Sequence, residues 1–296
     1  MPTSRLTRRA VLGVAILPWF AGCSTPLPLS SRLPSDAAAV TRLRESAEVH
    51  GWAAYRRLTD INVSYSGQWR PLINLIQPEL VDAGFRGPSQ EQLMPAERVV
   101  AQAYTGTLNR KQVWWLRGNA APDQLGDGAV WFNGVQSNDR ATQDTAALVA
   151  EGYGLFLLGP LWLNDRELSM QLNGTERVDD RLWDVVNVWL TPGLGRVTMD
   201  RVAVCIDRAD GVMRRVRFTL EVSRARGAVA EVDTFEHDRR FGVLWPMRSY
   251  ERVVHPIPIP AHDWRITGLD VNRGYAPRQI AAPDFTNLAA APAAKL

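Results

Sequence analysis

Side chains able to do acid–base, nucleophilic or metal chemistry are thinly spread in this sequence, which has four histidines and two cysteines. The run His255-Pro256-Ile257-Pro258-Ile259-Pro260-Ala261-His262-Asp263 brings two histidines and an acid close together in the chain. Zinc needs three or four ligands in a compact shape. Alternating prolines favour an extended backbone, which would set these histidines roughly 20 Å apart. The run therefore reads as a proline-fixed loop rather than a metal site. Glu236-His237-Asp238-Arg239-Arg240 reads as a solvated turn. Asp207 and Asp210 fit hairpin chemistry, because the calcium-loop ligand spacing is missing. No GxSxG, HExxH or P-loop pattern occurs. The sequence thus nominates no catalytic residue, no metal ligand and no cofactor.

The cysteines carry more. Cys205 lies in Val202-Ala203-Val204-Cys205-Ile206 and reads as a small apolar residue on a strand. Cys23 follows Phe20-Ala21-Gly22, behind the apolar run Ala10 to Phe20 and the arginines Arg5, Arg8 and Arg9. A basic head, a short apolar body and a small-residue stop make a secretory signal over residues 1–22. The apolar run is too short to span a bilayer, which takes about 20 residues. Phe20-Ala21-Gly22-Cys23 resembles the lipobox of bacterial lipoproteins, with Phe20 where the family usually has Leu. The resemblance implies cleavage before Cys23 and acylation of that residue. Ser24, in place of the aspartate that retains such proteins at the inner membrane, implies an outer-membrane anchor with the body facing the periplasm. Thr7-Arg8-Arg9-Ala10-Val11-Leu12 also resembles a weak twin-arginine signal.

Removing the leader changes the charge reading. The chain has 34 Lys and Arg against 31 Asp and Glu. The three leader arginines account for that excess, so the mature chain is neutral. It offers no basic footprint for nucleic acid.

Binding chemistry points instead to apolar surfaces. Eleven tryptophans are present, and all but Trp19 follow the leader. In Trp183-Asp184-Val185-Val186-Asn187-Val188-Trp189, strand alternation puts Trp183, Val185, Asn187 and Trp189 on one face. With Trp69, Trp115 and Trp162 they make candidates for a greasy cavity with a few polar handles, suited to an acyl chain. The alternative for each tryptophan is ordinary core packing. Leu155 to Leu163 is too apolar for a surface loop, and Leu155, Phe156 and Leu158 join the candidate ligand-binding set. That segment is a lid over a cavity, a membrane-touching loop, or a permanent plug of the sheet.

These residues need elements to position them. Residues 23–35 are rich in Ser and Pro and read as a tether. Ser35-Asp36 caps a helix that carries Val40, Leu43, Ala47, Ala54 and Leu58 at helical spacing and stops near Thr59-Asp60. Ile61 to Trp69 alternates with period two, as a half-buried strand does. Residues 71–95 are irregular and interrupted by proline. Strand candidates follow at 98–108, 112–117 and 129–132, then a second helix over 139–158. Short strands fill the remainder: 167–172, turning at Asn173-Gly174, then 182–190, 199–206, 212–221, 228–235, 243–252 and 263–271. The tail 277–296 is Ala- and Pro-rich and reads as disordered.

Strands in succession with short turns imply an antiparallel sheet. The expected class is α+β: one domain over 36–276, a curved antiparallel sheet or incomplete β-barrel covered by two or so helices. A leading helix, a strand ending Gly67-Gln68-Trp69, the later run Asp200 to Asp207 with Gly211, and Gly242-Val243-Leu244-Trp245-Pro246 resemble the LolA/LolB-like periplasmic lipoprotein carriers. The resemblance implies an incomplete barrel holding acyl chains in an apolar cavity. The expected function is non-catalytic binding of a lipid or acylated ligand by a membrane-anchored envelope protein. The alternative is an envelope scaffold that binds other proteins.

Overall fold

In the computed structural model, residues 27, 31–119, 124–221, 226–281, 283, 285 and 290–292 are described. The signal region and Cys23 lie outside them. Asp36 caps the first helix, its carboxylate accepting from the Ala38 and Ala39 amides. It also accepts from the Leu172 amide, which ties the helix start to a strand. The single helix expected over 36–59 is two: α1 (Ala37–His50) and α2 (Trp52–Tyr55). Gly51 breaks it at φ 95°, and its amide bonds back to Ala47 and Glu48. Only glycine takes that conformation cheaply.

The chain then builds one sheet. β1 (Ile61–Trp69) is followed by α3 (Pro71–Ile76), α4 (Pro78–Val81) and β2 (Ser89–Met94), so residues 71–95 hold two short helices and a strand. β3 (Val99–Gly106), β4 (Asn109–Arg117), β5 (Gly126–Phe132) and β6 (Val135–Gln136) follow. α5 (Arg140–Leu158), capped by Asp139, and α6 (Pro160–Asn164) cross to the other side. β7 (Ser169–Val178), β8 (Arg181–Leu190), β9 (Asp200–Asp207), β10 (Met213–Leu220), β11 (Ala228–Arg240), β12 (Val243–His255) and β13 (Ile259–Val271) complete it, before α7 (Pro277–Ile280).

All 13 strands form one antiparallel sheet in the order β6-β5-β4-β3-β2-β1-β13-β12-β11-β10-β9-β8-β7. The chain starts at the middle, steps outward to β6, crosses by α5 and α6 to β7, and steps back until β13 pairs with β1. Flat, such a sheet would be roughly 58 Å wide at about 4.8 Å per strand step. Helix α5, at 1.5 Å per residue, is roughly 28 Å long. Yet α5 touches β3, β4, β5 and β12, and its Phe156 packs on Phe218 of β10 and Trp264 of β13. Only a sheet curled around the helix permits this. The α+β expectation holds: the sheet is curved, open, and filled by helices.

Two local readings are corrected. Asn173-Gly174 is a bulge within β7, where the register with β8 slips between Leu172 and Thr175. The turn comes at Asp179-Asp180, both at positive φ. The 255–262 run does not stay extended. It folds back as the β12–β13 connection, with Val253 opposite Ile259 and Glu251 opposite His262.

The convex face is covered in part by the chain's own ends. Leu27 packs on Trp183, Val185, Ala203 and Cys205. The segment read as a tether is fastened over 32–36: Arg32 donates to Ser169 Oγ, and the Asp36 amide to Met170 O. In the tail read as disordered, Ile280 and Phe285 pack with Met94, Val99 and Trp114. Arg110 and Gln112 both donate to Phe285 O.

Candidate functional site

Strand alternation sorts the candidate residues between two faces. Trp115, Leu155, Phe156, Leu158 and Trp162 meet in one apolar layer on the concave side, joined by Val186, Val188, Val204 and Phe218. Leu155 and Leu163 are fully buried. α5 occupies the hollow that the sheet makes, and each leucine-sized side chain it buries contributes about 1.5–3 kcal/mol. The voids inside are small. One of about 30 Å³ lies between Leu93, Val100, Leu158 and Trp162, and one of about 20 Å³ beside Tyr153 and His262. Each holds about one water.

Trp183 is not part of that layer. It lies on the opposite face with Val185, Ala203 and Cys205. Trp189 shares its side of β8 and is also buried. The other side of β8 meets α1, where Arg42 pairs with Asp184 at 2.8 Å. Trp69 belongs to a third cluster near Ile73, Val81 and Ala261. The eight candidates are thus divided among three places: Trp183 and Trp189 share one side of β8, as alternation gives, but not the side that meets Trp115, Trp162 and α5.

The polar part of the interior comes from residues that the sequence reading did not nominate. His262, from the run read as a proline-fixed loop, is buried on the concave side between Trp69, 4.2 Å away and stacked at 9°, and Trp264, 4.7 Å away. Gly67 makes room for it: a Cβ there would lie 2.8 Å from His262 Nε2. His262 Nδ1 is hydrogen-bonded to the hydroxyl of Tyr153 on α5, 3.2 Å away. Burial first, then the Arg86 charge, holds this imidazole well below its usual range, so it is neutral at pH 7.

Arg86 donates to the carbonyls of Val81 and Leu80 and lies 4.2 Å over the Tyr104 ring. The Tyr104 hydroxyl donates to Gln102 Oε1, and Gln102 Nε2 donates to Glu91 Oε2. Glu91 Oε1 is buried with no hydrogen-bond partner among the described residues. Burial pushes the Glu91 carboxyl up to about 8 and that of Glu251, across from His262, up to about 7. The interior therefore combines an apolar layer with a polar group of Tyr65, Arg86, Glu91, Tyr104, Tyr153, Glu251 and His262. Such an arrangement suits an amphiphile: aliphatic surface for a chain, donors and acceptors for a head.

The sequence signal for this group was weak because its members come from seven separate segments. The clue that existed was local. Gly67 and Trp69 lie two apart on β1, as His262 and Trp264 do on β13, and the two pairs face each other in register.

No family model and no curated protein matches the sequence. Solved structures do. A DUF1329 family protein from Desulfovibrio piger is 11% identical, with 84% of this chain and 98% of that one covered at a TM-score of 0.51. A putative outer membrane lipoprotein-sorting protein domain from Vibrio parahaemolyticus is 8% identical, with 81% and 95% covered, at 0.48. A LolA superfamily protein from Nitrosomonas europaea is 11% identical, with 84% and 99% covered, at 0.43. At such identities the likeness is one of fold. The curved open sheet wrapped on helices is the architecture that the LolA/LolB resemblance implied.

Proposed function

We propose that this protein is an outer-membrane lipoprotein, acylated at Cys23, whose concave interior binds a lipid or other acylated ligand without catalysis. The carrying observation is the joint between α5 and the sheet. α5 lays Leu148, Leu155, Phe156, Leu157 and Leu158 on the concave layer, and Tyr153 fastens it to His262. The helix stands where a ligand would lie, so binding is an exchange. An acyl chain of about sixteen carbons gains roughly 12 kcal/mol from burial, at about 0.8 kcal/mol per CH2. Lifting five large apolar side chains costs a similar sum, at roughly 1.5–3 kcal/mol each. Near balance makes uptake and release reversible. Gly152, Gly154 and Gly159 with Pro160 give the crossing segment weak points at which to move. Trp115, Leu155, Phe156, Leu158 and Trp162 are the chain-binding residues in this reading, with Trp69 at the polar end. Trp183 and Trp189 serve the outer face.

Native mass spectrometry tests the reading on the chain from Ser24 onward, purified without detergent from a bacterial periplasm. A stoichiometric lipid adduct lost on denaturation is the expected result. A clean apoprotein mass, with no uptake of added fatty acid or phospholipid, would replace it by the scaffold reading. That alternative is favoured by the exposed apolar side chains Leu72, Leu75 and Ile76 on α3.

A further inference from the structure

At the sheet end opposite His262, arginines gather with too few acids. A cleft of about 330 Å³ is lined by Tyr55, Arg56, Arg98, Arg117 and Asp165. It shares Tyr55, Arg98, Arg117 and Asp165 with a smaller recess that reaches Glu151, Leu158 and Trp162. The Trp162 ring carries two guanidiniums, with the central carbon of Arg166 3.3 Å and that of Arg117 5.2 Å from its centroid.

Asp165 is paired with Arg56. Arg117 has Glu151 at 3.9 Å, and the Asp165 carboxylate that Arg56 already pairs is its other acidic neighbour. Burial pushes the Glu151 carboxyl up to about 7, so it is charged only part of the time at neutral pH. Arg98 donates to a neutral acceptor, Asn119 Oδ1, at 2.9 Å. It is held at φ 60°, a left-handed conformation that costs a non-glycine residue energy. All three side-chain nitrogens of Arg166 are buried without a hydrogen-bond partner among the described residues. Arg166 does not itself line the cleft, but its uncompensated charge on Trp162 adds to the positive field that Arg98 and Arg117 present there.

We propose that this cleft is a binding site for an anionic oxygen group, a phosphate or a carboxylate, held by Arg117 and Arg98 beside the Trp162 ring, with the charge of Arg166 stacked on that ring adding to the positive field. Guanidinium forks suit such planar or tetrahedral oxygens, and stacking on an indole fixes their direction. The site stands whether or not the interior takes an acyl chain. The anion comes either from solution or as the head of an amphiphile whose tail passes Leu158.

The test uses the full-length protein in neutral detergent, titrated with inorganic phosphate and with lysophosphatidylglycerol at 150 mM NaCl (about the physiological ionic strength). The wild type is compared with Arg117→Gln and Arg98→Gln, two residues that line the cleft. Saturable phosphate binding, weakened about tenfold or more by both substitutions, supports the site with a free anion. Binding of the lysolipid alone, weakened likewise, supports it with a lipid head. Lysolipid binding that neither substitution weakens overturns the anion site while leaving the interior reading standing. No binding of either probe also overturns it. Melting curves guard against misfolding: both variants should keep a single cooperative transition without phosphate. Both should lose any rise in Tm that phosphate gives the wild type.

Discussion

The two faces of strands β8 to β12 solve opposite problems with alternate residues of the same segments. Toward the helices they present Val186, Val188, Val204, Val216, Phe218 and Val232, a continuous apolar layer. Away from them, next to Trp183 and Cys205, lies a ladder of ion pairs. Glu176 takes Arg215 and Arg217; Glu231 takes Arg215, Arg217 and Arg252; Asp233 takes Arg215 and Arg252. Arg217 and Glu231 are as buried as many core residues, at 4% and 3% exposure. On the concave side, by contrast, Glu91 is buried and Glu251 half-buried, and neither has a salt bridge among the described residues. One face spends its charges in mutual neutralisation, and the other keeps carboxyls whose protons are poised near neutrality. The difference separates a neutralised wall from the interior in which the proposed ligand would lie.

The largest expected effect breaks the apolar face. Val204→Asp puts a charge where nothing can pair with it, at a fully buried position. It should cost more than about 4 kcal/mol and abolish cooperative unfolding in a denaturant titration.

The ladder comes next. Arg217→Ala leaves Glu176 and Glu231 short of a partner and should cost about 3 kcal/mol. The double variant Arg217→Met with Glu231→Leu keeps the remaining charges balanced and should recover most of that loss. Equal losses from the single and double variants would show that packing, not charge, is what the ladder provides.

A smaller, pH-dependent effect sharpens the contrast. Glu91, Glu151 and Glu251 hold protons in the folded state that the unfolded chain releases above about pH 4.5. Where the native state binds more protons, stability falls as pH rises. His50 and His237, pushed down to about 4, act the other way, adding stability as pH rises from about 4 to 6.5. Above about pH 6.5 the histidine contribution is complete, while Glu91, Glu151 and Glu251 still titrate. Glu91→Gln should remove on the order of 1–2 kcal/mol of the decline between pH 6.5 and 8.5, measured by urea midpoints.

Much of the fold was legible because it rests on local periodicity. The alternation in Ile61 to Trp69 and the capped apolar run after Asp139 name β1 and α5 almost to the residue. The strand-after-strand pattern from β8 onward gives the antiparallel meander. What failed depends on distant partners. Asn173-Gly174 has hairpin chemistry, but continued pairing with β8 makes it a bulge. β8 is buried from Trp183 to Leu190, so alternation could not reveal which face meets the helices. Covering by Leu27 on one side and α1 on the other erases the polar–apolar contrast that the argument needs. The prolines before His262 suggest an extended loop, whereas the β12–β13 pairing folds the run back and turns His262 inward. The ladder had a signature, Arg215 and Arg217 facing Asp233 and Glu231 across β10 and β11, visible only once those strands are paired.

The central claim is that α5 is the movable occupant of the interior, and hydrogen exchange of the ligand-free protein tests it most directly. Amides of Leu148 to Leu158 should exchange through a partial opening, at a free energy well below that of the β9–β10 amides, and Tyr153→Phe should lower it further. Exchange of both sets only through global unfolding, at one common free energy, would make α5 a permanent plug and contradict the account.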